Sequence, residues 1–592
     1  MKYITHTLFL FLLLSTIKGQ AKVQNKDNQP LSIVSIAVDD TPNTIYFAEK
    51  GTQCIVSYNT KTKQNVTRWS FDQTPTGITV YNGKMYITTS YDVGKVYKID
   101  INSKVIEDSL ITGMGTCSPY VDPIGEALIV CNQYKNDVVK ISLNDFKEIS
   151  HCHVQREPNN IVLGKNRKYL FVTNFLPYQP ANLDTVAADV SVIDYKTMKV
   201  VKSIKLTNGS NALRDMVLTN DGKYAIVTHN LGRFQVPTSQ LQQGWMNTSA
   251  MSLIDTEKLQ LLGTVLLDEP DHGAAGTWGI VCNDEYIFVS HSGAHDMSVI
   301  SYKEMIDKFN HTADKETLSY DLRFLNGLRK RVSLKGNGPR DLVIKDQKVY
   351  IPTYFSDILN VYSIDSEELS SVCLNPDYKP SVVHHGEQLF NDASYCLEGW
   401  QSCNGCHPGD ARTDGMNWDL LNDGIGNPKN CKSMLYAHQS PPAMISGIRP
   451  DAETAVRAGF QHIQFAQVTD KEAKAVDAYL QSLKPLPSPY LTNGELSEKA
   501  RKGEKLFVKY NCHYCHSGPL FTDGKMHRIG DVEFENGWDT PTLKEVWRTG
   551  PYLYDGRAKS IKEVFTIYHH GLKDKKLKKK DIECLVEYVK SL

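Results

Sequence analysis

One unit recurs along the first 375 or so residues and decides what they can build. A polar turn is followed by a short β-rich run that ends in a small or polar residue: TIYFAEK, KMYITTS, EALIVCN, KYLFVTN, KYAIVTHN, EYIFVSHS and KVYIPTY. Several copies lead into a second run that closes on an acidic turn, as in GKVYKIDINSK, DVSVIDYKTMKVV, AMSLIDTEKLQLL and LNVYSIDSEE. Tyr46, Tyr86, Leu128 and Leu170 stand at equivalent points, about 40 residues apart. β units of that length predict propeller blades. The seven copies predict an all-β, seven-bladed β-propeller over residues 31–380, with later intervals stretched by insertions such as RFQVPTSQLQQGWMNTS.

The texture changes near residue 381. HHGEQLF, DAETAVRAGF, KEAKAVDAYLQSL, ELSEKARKGEKLF and KKDIECLVEYVKSL carry apolar residues at helical spacing. Loops rich in Gly, Asn, Asp and Pro lie between them. KPLPSPYLTNG (484–494) reads as a connector, and GEQLF and GEKLF open the segments on its two sides. This is an internal duplication: a mostly α-helical region of two lobes, 381–484 and 485–592.

The chain opens with MKYITHTLFLFLLLSTIKGQAK. A lysine, an apolar run from Leu8 to Leu14 and small residues at Gly19 and Ala21 predict a signal peptide over residues 1–21 and a periplasmic protein. The run is shorter than the ~20 residues that cross a bilayer, and no later segment is long enough, so no membrane span is expected. The net charge of −1 argues against a nucleic-acid partner, because a polyanion calls for a basic surface. Of thirteen cysteines, nine lie outside the two motifs described next. Most stand singly in apolar stretches (Cys131 in LIVCN, Cys282 in GIVCN) and read as buried thiols acting as small hydrophobes.

CNGCH (403–407) and CHYCH (512–516) each follow one of the duplicated helices. CxxCH is the attachment pattern of c-type haem. Two thiols must reach two vinyl groups of one macrocycle, and the next histidine ligates the iron. Cys403, Cys406 and His407, then Cys512, Cys515 and His516, predict two covalently bound haem c groups.

Two families are resembled. YLFVTN with VSVIDYKTMKVVKSI resembles the YVTN propellers, which bears on fold alone. Two haem motifs in duplicated lobes, with CHYCHSGPLFTDGKMHRIG and TPTLKEVWRTGPYLYDGRAKSIKEVFTIYHHG, resemble the di-haem cytochrome c peroxidase and MauG superfamily over residues ~381–592. The resemblance implies a sixth ligand to the second haem iron at Tyr568, the MauG-like choice, where peroxidases usually place Met. His569, His570 and Met526 compete for that role. It also implies one calcium ion, with Asn430 as a side-chain donor and Thr549 and Pro551 as carbonyl donors.

The first haem segment departs from the family. SPPAMISGIRPDAETAVRAGFQHIQF puts Ile445 where a Trp is expected between the haems, and the distal Glu has no counterpart. His438, Gln461, His462 and Gln464 are the candidates for acid–base work. Trp400, Trp418, Trp538 and Trp547 are possible substitutes for the missing Trp. Met416 reads as a packing residue rather than a ligand.

In the propeller, Asn174, His229, His291 and Tyr354 share one register in four blades. They form either a ring able to bind a metal or polar ligand, or structural partners at strand ends. Arg214 with Asp215, and Arg340 with Asp341, read as structural ion pairs near the channel. The lysine run 573–581 is a solvated helix end or a steering patch. The expected function is a di-haem oxidoreductase, a cytochrome c peroxidase-like or MauG-like enzyme. It would use hydrogen peroxide as oxidant and take electrons from a small redox protein or from a protein or organic substrate. The alternative is a di-haem electron-transfer or ligand-sensing protein, with the propeller as a docking module and no peroxidase turnover.

Overall fold

A computed structural model describes residues 28–90, 93–235, 246–420, 428–529, 535–572 and 577–592. The predicted signal peptide and the start of the lysine run lie outside the described residues. Seven four-stranded antiparallel sheets span 33–70, 74–113, 116–153, 158–205, 210–266, 277–333 and 343–373, each built from consecutive strands. The first strand of each sheet packs on the first strand of the next, and the seventh returns to the first. This is the seven-bladed propeller.

Blade stacking explains the sequence of the repeat. A second strand is covered by a neighbouring sheet on both faces, so Ala127–Asn132 is wholly buried and Tyr169–Asn174 nearly so. A strand covered on both faces carries a near-continuous apolar run instead of alternation. The outermost strand Lys199–Lys205 lies mostly in water and carries lysines. The ring closes without a shared strand. Asp357 of the last blade accepts from the backbone N–H groups of Leu31 and Ser32 at 3.0 and 3.2 Å, and Asp341 from that of Ile36 at 2.9 Å. Lys345 Nζ donates to the carbonyls of Asp39, Thr41 and Thr44.

The residues paired as Arg214–Asp215 and Arg340–Asp341 in the sequence reading do not pair. Neighbours on a strand point to opposite sides. Asp215 turns to the next blade and accepts from Ile280 N at 2.9 Å, as Asp341 does from Ile36 N. The arginines face the other way.

The helical region follows the last blade. Helix Val382–Asn391 packs on Asp470–Ser482, and Glu498–Lys509 packs on Lys579–Lys590. The two pairs share three contacts. Ser381 and Ser497 cap the first helices by accepting from the N–H three residues on. A Cβ on Gly386 would sit 1.8 Å from the Ala475 carbonyl oxygen, and one on Gly503 would sit 2.0 Å from that of Cys584. Phe390 meets Tyr479, and Phe507 meets Tyr588, both with ring centres 5.4 Å apart. GEQLF and GEKLF thus keep their glycine for backbone contact and their phenylalanine for a ring partner. Each pair has its own apolar cluster.

A buried charge network ties these clusters together. Glu545, fully buried, accepts from Arg412 and Arg548, both also buried. Propeller loops dock on the same region: Gly273 N donates to Glu398 O at 2.8 Å, and Ala181 N to Gly556 O at 2.8 Å. The cysteines outside the two haem motifs form no disulfide, and five of the nine are buried.

Candidate functional site

Each CxxCH segment makes one tight turn that fixes its histidine. His407 N donates to Cys403 O, and His516 N to Cys512 O, both at 3.0 Å. Nδ1 of His407 lies 3.0 Å from Arg412 O, and Nδ1 of His516 lies 3.1 Å from Phe521 O, again five residues on. A carbonyl only accepts, so Nδ1 carries the proton and Nε2 keeps its lone pair for a metal. Burial pushes both imidazoles below their usual pKa, which keeps them neutral.

The thiols beside them are uncharged too. Burial lifts Cys403 to about 12 and Cys406 further. Gln464 Nε2 donates to Cys403 Sγ at 3.0 Å, and Asn247 Nδ2, from the propeller, to Cys406 Sγ at 3.2 Å. Cys431 Sγ donates to Cys406 O at 3.1 Å and lies 3.4 Å from His407 Nδ1. Two thiols and one oriented imidazole on a single turn fit covalent haem at both motifs. Among the described residues no group of three or more His, Cys, Asp or Glu is arranged to hold a metal ion by itself.

The duplication continues into the segment that approaches the histidines. After helix Ala452–His462, Ile463, Gln464 and Ala466 donate N–H bonds to Gly459, Gly459 and Phe460. After Ile561–Thr566, Ile567, Tyr568 and His570 donate to Glu563, Glu563 and Val564 in the same pattern. Phe465 and His569 both take left-handed φ, 52° and 47°. Gln464 therefore matches Tyr568, and Ala466 matches His570.

The His570 ring faces that of His516 with centres 6.4 Å apart. A metal–imidazole bond is about 2 Å long, which puts two rings on opposite sides of one ion about 6 Å apart. Burial pushes His570 down to about 4, with His516 adding to the shift, so it too is a neutral donor. Tyr568 instead donates its hydroxyl to Arg557 O at 2.9 Å. His569 is exposed, and the Met526 sulfur packs where a Cβ on Gly447 would sit 2.7 Å away.

The four acid–base candidates scatter. His438 is buried on Asp477 (Nε2 to Oδ1, 3.0 Å), which Arg457 also holds. Gln461 and His462 are exposed at the helix end. Only Gln464 reaches the first motif, and its buried Oε1 has no hydrogen-bond partner.

Asn430 and Pro551 meet across Gly556, where a Cβ would lie 2.6 Å from Asn430 Nδ2 and 3.1 Å from Pro551 Cγ. Thr549 Oγ1 donates to Val546 O at 3.4 Å. Met416 is fully buried, with Asn211 Nδ2 at 3.6 Å from its sulfur.

Of the four tryptophans, Trp538 is the one at the seam between the two clusters. It stacks on Tyr554 with ring centres 4.2 Å apart and planes 11° from parallel. Asp539 N donates to Ile445 O, and Asn430 N to Tyr554 O, so both rings are anchored to the first half.

The propeller ring does not form. Asn174 Nδ2 donates to Asp189 Oδ1 at 2.6 Å and to Ser191 Oγ at 2.9 Å. Nδ1 of His229 donates to Asn230 O at 2.9 Å, and Nε2 accepts from Ser252 Oγ at 2.8 Å. His291 bonds Thr277 and Ser298. All three sit on second strands and turn into their own sheets. Tyr354 alone reaches the helical region, donating to Glu387 Oε1 at 3.2 Å.

No protein-family model matches the chain. Over 278 residues, 36% of this chain and 78% of the relative, it is 25% identical to hydrazine synthase subunit gamma of Kuenenia stuttgartiensis. It is 25% identical over 236 residues to methylamine utilization protein MauG of Methylophilus methylotrophus, covering 31% of this chain and 70% of the relative. Cytochrome c551 peroxidase of Nitrosomonas europaea is 22% identical over 261 residues, 35% of this chain and 78% of the relative. Among solved structures, Kuenenia stuttgartiensis hydrazine synthase superposes with a TM-score of 0.51 at 17% identity, over 60% of this chain and 99% of that one. That likeness is one of fold.

Proposed function

We propose that the chain is a periplasmic di-haem c oxidoreductase with two unequal sites and hydrogen peroxide as oxidant. The observation that carries the inequality is the pair Ala466 and His570, one place in a duplicated backbone. Cys403, Cys406 and His407 would hold the first haem, with Ala466 offering no second ligand, and Cys512, Cys515, His516 and His570 would hold the second. Haem bound there supplies the redox-active iron. A closed site suits electron holding, and an open one suits a small substrate. Two lobes, 381–484 and 485–592, carry one site each.

The chain's own residues then have defined tasks. Arg412 O and Phe521 O keep each Nδ1–H in place, so each Nε2 would be free to ligate an iron. Gln464 reaches the first site, and its unpartnered Oε1 orients substrate there by hydrogen bonding. Trp538 stacked on Tyr554 takes the place of the missing Trp as the aromatic bridge at the seam. A calcium ion beside Asn430, Thr549 and Pro551 is part of the reading through the family resemblance. The electron source is a small redox protein or a protein or organic substrate.

The test is optical. Hydrogen peroxide added to the resting protein should change the spectrum of the His407 site. Ala466→His should remove that response by closing the site. A wild-type protein inert to peroxide sinks the peroxide reading.

A second reading rests on one observation. Among the described contacts no His, Asp or Glu side chain touches Cys403, Cys406 or His407, and peroxide cleavage wants such an acid–base group. The relative named hydrazine synthase subunit gamma then offers another substrate class, a small nitrogen compound. A spectral response to hydrazine but not to peroxide would favour it.

A further inference from the structure

We propose that the space between the propeller mouth and the loop after CNGCH is a binding site for a small oxyanion, carboxylates included, held by Arg214, Arg340 and Lys50. Three neighbouring blades build its floor. Arg214 and Trp278 sit on the first strands of the fifth and sixth blades, and Arg340 just ahead of that of the seventh. The two guanidiniums lie 4.0 and 4.2 Å from the centre of the same Trp278 ring. Arg340 also lies 3.5 Å from the Tyr354 ring centre, and Lys50 Nζ lies 5.8 Å from it.

The roof is Gly409 and Asp410. A Cβ on Gly409 would lie 3.3 Å from Arg548 Nη2 and 3.4 Å from Phe175, and Phe175 carries Arg214 at 4.7 Å. Asp410, the next residue, is exposed and lies within electrostatic reach of Lys50 and Arg340.

Asp410 and Glu387 are the carboxylates that act on Lys50, and Asp410 is acted on by Arg412 and Arg548 as well as by Lys50 and Arg340. No hydrogen bond or ion pair joins the side chains of Lys50, Arg214 or Arg340 to either one, among the described residues. Arg340 is only 9% exposed, and its Nε has no partner.

Buried charges without partners are costly, and two guanidiniums close together repel in a low-dielectric space. Burial, and then Arg340, push Arg214 down to about 9. Water would satisfy the donors but not the charge. Stacking on Trp278 and Tyr354 fixes the planes of the guanidiniums and leaves N–H edges for oxygen pairs. A small anion with two or more oxygens meets these requirements.

The probe is selenate, on the holoprotein. Crystals soaked in sodium selenate should show an anomalous selenium peak within hydrogen-bonding reach of Arg214 and Arg340, and formate should compete it away. In solution, replacing chloride by sulfate at constant ionic strength should raise the Tm of the wild type. In Arg340→Gln the sulfate concentration needed should rise at least 10-fold. Arg340→Lys keeps the charge without the fork and should fall between, which guards against a misfolded glutamine variant. Selenate found only elsewhere, water alone beside Arg214 and Arg340, or an equal sulfate shift in wild type and the Arg340 variants would overturn the site.

Discussion

His570 faces His516 with ring centres 6.4 Å apart, while Ala466, at the matching place in the first half, presents only a methyl group. Replacing His570 by Ala should turn the second haem from a low-spin to a high-spin centre in the resting EPR spectrum, with the first unchanged. Tyr568→Phe should leave both spectra as they are, because its hydroxyl is spent on Arg557 O. The reverse pattern would return the ligand role to Tyr568.

Gly503 touches the carbonyl of Cys584 so closely that no side chain fits. Gly503→Ala must push two helices apart, and overpacking of this kind costs about 1–3 kcal/mol. Gly386→Ala should do the same to the other pair. Thermal unfolding should show a lower Tm for each.

Glu545 is the common acceptor of two buried guanidiniums, Arg412 and Arg548. Removing one partner of a buried ion pair costs about 3–5 kcal/mol, since the remaining charge stays out of water. Glu545→Ala should therefore destabilise the helical region more than any exposed charge removal. Denaturant melts followed at the haem bands would read it, and a change below 1 kcal/mol, the range of surface pairs, would contradict the network.

His229 and His291 are buried neutral in the propeller, and burial pushes them down to about 4 and about 3. The unfolded chain protonates them near 6.5, so it binds more protons at acid pH. Their contribution is complete above pH ~6.5. It falls as pH drops towards 4, by up to about 1.4 kcal/mol per unit for each histidine. His229→Gln should flatten that slope in pH-dependent denaturant melts; an unchanged slope would rule His229 out as its source.

Much of this was readable in the chain. Seven blades followed from the repeat because blade stacking forces second strands to be apolar throughout, and that leaves a spelling such as YLFVTN. Tyr568 and His570 were not separable, because the helix before them ends in bonds of widening span, and that local unwinding decides which side chain faces His516. His229 and His291 were aligned in register, but register does not say whether a side chain points into the channel or into its own sheet. The inequality of the haem motifs lay in an alanine, and an alanine announces nothing until it is laid over its counterpart.

The propeller's closure has a consequence for how such a chain can change. Its first and last blades are clasped by Asp341, Lys345 and Asp357 rather than sharing strands. Every blade is then a complete cassette of consecutive residues. A gene could gain, lose or swap one without rethreading the ring, provided the newcomer keeps an aspartate aimed at its neighbour. Modular turnover at the mouth is thus open to evolution while the haem region stays untouched.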